Sequence, residues 1–247
     1  MVALHFNGFV RFRDCFSVPN GFGHVRSPNL TIFPAFLRVL PFLGKIKRPR
    51  RDLNRMKPEF ILNFWLDEVG PDYWHTSDNS LDGLIEQKFC KTLEYILSGG
   101  HSLWLTYPSG TLAYIIVLDQ FSRNIFRGEK RCFAADRVAI AASKQSIKYG
   151  FDLKINEPAR QFFYMPLMHS ENLYDQEKCI RQILEKLPYS GSNLLKHAQA
   201  HRELIRSFGR FPSRNSQLGR PNTLLEQEHI DQGGYRALLS KPKSYVA

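Results

Sequence analysis

The sequence predicts an all-α protein, an antiparallel helical bundle or helix-pair array of about eight helices. Three observations carry that expectation. Apolar residues recur with the helical period through most of 58–231. Glycine, proline and capping residues cut this pattern into helix-length segments joined by short connections, which makes consecutive helices antiparallel neighbours. Alternating runs that would mark strands are few.

Taken in order, "PEFILNFWLDEV" (58–69) opens on Pro58, suited to a first helical turn, and stops at Gly70-Pro71. Asp78 or Ser80 caps the next segment. There Leu81, Leu84, Ile85, Phe89, Leu93, Ile96 and Leu97 form one apolar stripe, closed by Gly99-Gly100. Ser109 is placed to cap "GTLAYIIVLDQF", which is apolar nearly all round and so belongs in the middle of a bundle. The segment 130–150 carries small alanines for close packing and ends at Gly150. Helices over 157–169, 171–188 and 192–209 follow. A short one over 223–231 precedes a Gly-rich tail. Between 209 and 222 helix and strand signals both fail, while Arg, Asn and Gly concentrate. No 34-residue repeat consensus is visible.

The net charge of +11 is unevenly distributed. Residues 1–57 hold 11 Lys/Arg against 2 Asp/Glu, and residues 58–247 hold 23 against 21. The chain therefore divides into a basic N-terminal extension, 1–57, and one all-α domain, 58–247, that is nearly neutral. A nucleic-acid partner for that domain is disfavoured. The extension reads as a transit peptide, as a nucleic-acid arm through "KIKRPRR" (45–51), or as an over-called upstream segment before a true start at Met56. The apolar run 30–44 is too short to span a bilayer and is broken by Pro34, Arg38 and Pro41. Four scattered cysteines (Cys15, Cys90, Cys132, Cys179) form no CxxC pair, which fits free thiols in a cytoplasmic protein.

Several compound motifs, "ILNFW" (61–65), "LDQFSRNIFRG" (118–128), "FAADRVA" (133–139), "FYMPLMHSE" (163–171) and "HRELIRSFGRFPSRNSQLGR" (201–220), resemble a bacterial family called domain of unknown function 924. The resemblance covers about 58–231. It implies an all-helical fold like the tetratricopeptide superfamily, supports Met56 as the start, and implies no activity. Ser122, Met168 and Ser213 depart from the family pattern, where Pro, Glu and His are expected.

Two stretches repeat the spacing Arg-Asn, three residues, Gly: Arg123-Asn124 to Gly128, and Arg214-Asn215 to Gly219. With Arg127, Arg210 and Arg220 they supply planar guanidinium donors that suit carboxylate or phosphate. The functional reading is a cleft for an anionic small molecule or acidic peptide where the two turns meet. The structural reading is an internal clasp, with Asp119 pairing Arg123 four residues on and Asn124 and Asn215 tying off turn backbone. A second cluster is His169, Ser170, Glu171 and His201. Ser170 and Glu171 suit the start of the following helix. Alternatively, His169 or His201 is the general base of a hydrolase or transferase, oriented by Glu171. "PLMHSE" lacks the glycines of a nucleophile elbow. His197 and His201 have the i, i+4 spacing of a metal pair, but Ala198 stands where a zincin needs Glu, so no metal is assigned. No phosphate-binding Gly loop is present and no cofactor is assigned. Trp65, Trp74, Trp104, Phe162, Phe163 and Tyr164 read as core.

Overall fold

The computed structural model describes residues 56–240; the expectations about the basic extension fall outside them. Among the described residues the protein is all-α, with no strand. Helix α1 starts at Pro58–Leu62 and runs on in π-helical geometry over Asn63–Val69. Helix α2 is Asn79–Leu97. Helix α3 begins as Pro108–Ile116, widens to a π turn over Val117–Phe121, and finishes as Ser122–Ile125. Helix α4 is Asp136–Lys148, and α5 is the single turn Met165–Met168, preceded by 3-10 turns over Ala159–Phe163. Then come α6 (Leu173–Lys186), α7 (Gly191–Phe208), α8 (Asn215–Leu218), α9 (Leu224–Asp231) and α10 (Gly234–Ser240).

Helix α3 is the axis of the fold because it has no polar face over its first three turns. Leu112, Ala113, Ile115, Ile116, Val117, Leu118 and Phe121 are all wholly buried. Helices α1, α2 and α4 pack around it. Full burial of a large aliphatic or aromatic side chain stabilises by about 1.5–3 kcal/mol, so this helix anchors the core. Aromatic rings knit the layers: Phe121 stacks on Phe89 at 4.8 Å, and Trp65 meets Phe121 edge-on at 5.3 Å. The six aromatics expected in the core are all buried there. Helices α6 and α7 form the second packed pair, and α10 lies on α7. A smaller apolar cluster, Leu204, Ile205 and Phe211 with Tyr235 and Leu238 against it, holds that end.

The structure corrects several local expectations. Asp78 caps α2, accepting from the backbone of Ser80 and Leu81, so the two candidates resolve in favour of the carboxylate. Leu84 is 40% exposed and leaves the predicted stripe, because it sits one step off the face holding Ile85, Phe89 and Leu93. Ser109 is no cap: Pro108 occupies the first turn of α3 with Tyr107 extended before it. Ser170 is no cap either. Asn172 caps α6, and the Ser170 hydroxyl donates instead to Asp175. The stretch 209–222 includes the 3-10 turn Pro212–Arg214 and α8, and the Gly-rich tail contains α10. Short turns held by side chains leave no periodic signal.

Candidate functional site

The π turn of α3 sets the site. Its wider winding carries Asp119 and Gln120, both buried, at the point where α3 passes α5. Asp119 Oδ1 lies 2.8 Å from Nδ1 of His169, and Asp119 Oδ2 accepts from Gln120 Nε2 at 2.6 Å. Arg123, one turn on, donates from Nη1 to the Asp119 carbonyl at 2.8 Å and stands 3.4 Å from its carboxylate. Burial alone would raise the Asp119 pKa, but the neighbouring His169 and the Arg123 guanidinium, with the hydrogen bonds from His169 and Gln120, hold it at about 2. The carboxylate is ionised at neutral pH.

The two Arg-Asn stretches converge on one residue that sequence reasoning missed. Asp136, the first residue of α4, receives Arg123 Nη2 at 2.9 Å and Arg214 Nη1 at 3.3 Å. Arg214 also donates to the His169 carbonyl at 2.9 Å, with its guanidinium over the rings of Phe133 and Phe211. Gly128 (φ +84°) and Gly219 (φ +65°) close both stretches in the left-handed region. In other respects the stretches differ. Arg123-Asn124 sits inside the last turn of α3, whereas Arg214 ends a 3-10 turn and Asn215 starts α8. Neither asparagine side chain ties off turn backbone as expected. Asn124 donates to Asp82, and Asn215 donates to Asn222 and accepts from Arg220.

The remaining arginines are each matched to a carboxylate. Arg127 pairs with Asp82, Arg210 makes two hydrogen bonds to Glu226, and Arg220 makes two to Glu171 at 2.8 and 2.9 Å. Glu171 also accepts from the Phe211 backbone N–H at 2.9 Å. It therefore orients neither histidine: its carboxylate is taken up on the α8 side, and Asp119 occupies the orienting position instead. Glu226 closes a capping box with Thr223 that starts α9.

Beside this network lies an open cleft of about 520 Å³. Its wall brings together Arg123, Asn124, Arg127, His169 and His201, and adds His75, His197, Gln120, Gln161 and Tyr235, with Trp74, Met165, Met168 and Leu194 as its apolar part. Asp119, Glu171, Arg210, Arg214, Asn215 and Arg220 stand outside that lining. No Asp, Glu or Lys lines it. His75 and Gln161 come from a loop and a 3-10 turn, so no periodicity in the sequence pointed to them.

His201 shows a second fixed imidazole. Its Nδ1 donates to the His197 carbonyl at 2.8 Å, and its ring centre is 6.2 Å from that of His169 and 4.9 Å from Tyr235. Burial, then the neighbouring His169, lowers its pKa to about 3. His75, His169 and His197 are lowered too, burial being the largest cause in each. His197 is turned to the Tyr235 hydroxyl, so the i, i+4 pair does not present two free nitrogens. Among the described residues no group of three or more His, Cys, Asp or Glu is arranged to hold a metal.

Fold and site together define a class: an all-α protein with a polar cleft, lined by histidines and arginines and backed by a network of ion pairs. The chain belongs to the family described as bacterial protein of unknown function (DUF924), whose model matches residues 61–234. It is also similar to a solved structure from Agrobacterium tumefaciens, the protein of unknown function ATU0120. That similarity has 32% identity and a TM-score of 0.67, covering 71% of this chain and 97% of that one. No curated protein matches. No helix among the described residues is long and apolar enough to cross a membrane.

Proposed function

We propose that the cleft binds an anionic small molecule, held by Arg123 and Arg127 with Asn124 and the imidazoles around them. One observation carries this reading: the lining holds two guanidiniums and four histidines but no carboxylate. The carboxylates that neutralise Arg123 and Arg127 (Asp119, Asp136 and Asp82) are outside the lining, so an occupant meets the cationic side of each pair. Charge-assisted hydrogen bonds from guanidinium to carboxylate or phosphate suit that arrangement. An acidic peptide side chain would use the same groups. A tetratricopeptide-like, cytoplasmic helix-pair scaffold is part of the same proposal, since helical arrays of this kind present concave binding surfaces.

Thermal unfolding with succinate, citrate or phosphate tests it. A ligand at a hundred times its Kd stabilises the native state by about 2.7 kcal/mol. Arg127→Gln, which removes the guanidinium of the more exposed side chain, 39% against 20% for Arg123, is expected to reduce the rise. If each anion leaves the melting temperature where sodium chloride of equal ionic strength leaves it, the reading fails.

A further inference from the structure

We propose that this cleft is hydrolytic, with His169 as general base and Asp119 as its positioning residue, acting on a carboxylic ester or amide that carries an anionic group. The substrate class rests on the anion-binding reading above; the base does not.

The geometry assigns one tautomer to His169. Asp119 Oδ1 at 2.8 Å accepts a hydrogen bond from the protonated Nδ1, which leaves the Nε2 lone pair free. Asp119 fixes the ring, and two further contacts fix the backbone that carries it. The Asp119 carboxylate is itself fixed by Gln120 and Arg123, Arg214 holds the His169 carbonyl, and the His169 N–H donates to the Met165 carbonyl at 3.0 Å. His201 is oriented in the same sense, since its Nδ1 is spent on the His197 carbonyl. Among the described residues no hydrogen bond occupies Nε2 of either ring. Both histidines line the cleft. An Asp–His pair serving only as internal packing would gain nothing from opening onto a cavity. A carboxylate buried to 1% exposure is costly to desolvate, and here its imidazole partner faces the space a reactant would fill.

The step follows. Nε2 of His169 takes a proton from a water while the water oxygen forms a bond to the carbonyl carbon. The carbonyl π pair moves to oxygen, where Arg123, which contacts the same Asp119 carboxylate as the base and lines the cleft, meets the charge. His201 Nε2 accepts the second hydrogen bond of that water. When the carbonyl reforms, the C–O or C–N bond breaks and the leaving alkoxide or amine takes the proton back from His169. Nothing is oxidised or reduced. Acyl transfer matches the two guanidiniums of the lining one to one: Arg123 meets the single charge that develops on the carbonyl oxygen and Arg127 the anionic group the substrate already carries, whereas phosphoryl transfer spreads its charge over three oxygens.

The probe is para-nitrophenyl hemisuccinate, followed by release of para-nitrophenolate, with succinate as the unreactive anion in a parallel thermal-shift assay. The full chain should hydrolyse the probe, and His169→Asn should lower kcat/KM by about 10²–10⁴-fold while still unfolding cooperatively. Asp119→Asn should lower kcat more than it raises KM. It should also displace the acid limb of the pH–rate profile, which a purely structural loss would not do. His201→Gln, a milder change, should lower kcat without abolishing it, and serves if the Asp119 variant does not fold. Hydrolysis that survives in His169→Asn overturns the proposal. So does absence of hydrolysis in the wild type, and a melting-temperature rise with succinate in that case leaves the anion site standing. Hydrolysis lost in His169→Asn, with no succinate effect in any form of the protein, keeps the base and rejects the anionic substrate.

Discussion

Asp136 accepts from Arg123 and Arg214 at once, so a single carboxylate joins residues 91 positions apart in the chain. Its side chain is only 13% exposed, as is that of Arg214. Asp136→Asn leaves two guanidiniums facing each other with one charge fewer between them. Removing one partner of a buried pair typically costs 3–5 kcal/mol; with this partial exposure about 3 kcal/mol is expected, read as a fall in the urea midpoint. Tyr235→Phe is a gentler probe. It removes the hydroxyl that meets His197 Nδ1 and should cost about 1 kcal/mol with the fold intact. If Asp136→Asn proves no worse than Tyr235→Phe, the junction contributes little to stability. Sequence reasoning reached the arginines here but not Asp136, Asp82 or Gln120. The arginines stand out by repetition and by density, whereas an aspartate at a helix start is also explained by the helix dipole.

At the scale of elements, the caps and turns decide where the polar residues point. Asn172 accepts from the backbone of Tyr174 and Asp175, which starts α6 immediately after the His169–Glu171 stretch. Asn172→Ala should destabilise by about 1 kcal/mol. Gly128 and Gly219 adopt left-handed backbone with nothing within 4 Å of an added Cβ, so Gly→Ala there meets no clash. Its cost, about 1 kcal/mol at each position, is conformational alone. Thermal unfolding of the two single variants and the double checks this: near-additive losses are expected, and a double variant far worse than the sum would show the turns to be one cooperative unit. The longer helices were legible because the 3.6-residue period and the Gly and Pro stops survive in any context, whereas the helix expected over 157–169 is 3-10 turns and a single α turn. The caps were less so. Ser109 and Ser170 have capping chemistry, but Pro108 and Asn172 hold the geometry that starts each helix.

At the scale of the whole molecule, four histidines with lowered pKa values surround one cleft, so stability is linked to pH. A base whose folded pKa is lowered stays neutral in the native state while the unfolded chain takes up its proton. For His201 that difference opens at the ordinary value of 6.5 and persists down to about 3. Its contribution is fully present above pH 6.5 and is lost as pH falls through that window, by up to about 1.4 kcal/mol per pH unit for each site. The depressed Asp119 carboxyl adds its own loss lower, from 3.8 towards about 2. Urea midpoints should therefore drop steadily from pH 7 to pH 4, and His201→Gln should flatten part of that slope. Equal slopes in the two proteins would show that His201 is not held neutral.

Composition and periodicity by themselves determined the all-α class, the buried axis of α3, the aromatic core and the list of arginines worth examining. Each of these depends on local pattern, or on how much apolar surface a segment must bury. Only the tertiary structure decided what the polar residues do. It moved Glu171 away from the histidines, put Asp119 beside His169, brought His75 and Tyr235 to the cleft, and matched Arg210, Arg214 and Arg220 with carboxylates outside its lining. The reason is physical: a buried charge is tolerable only where its partner is, and partners 16 to 78 residues away are chosen by packing.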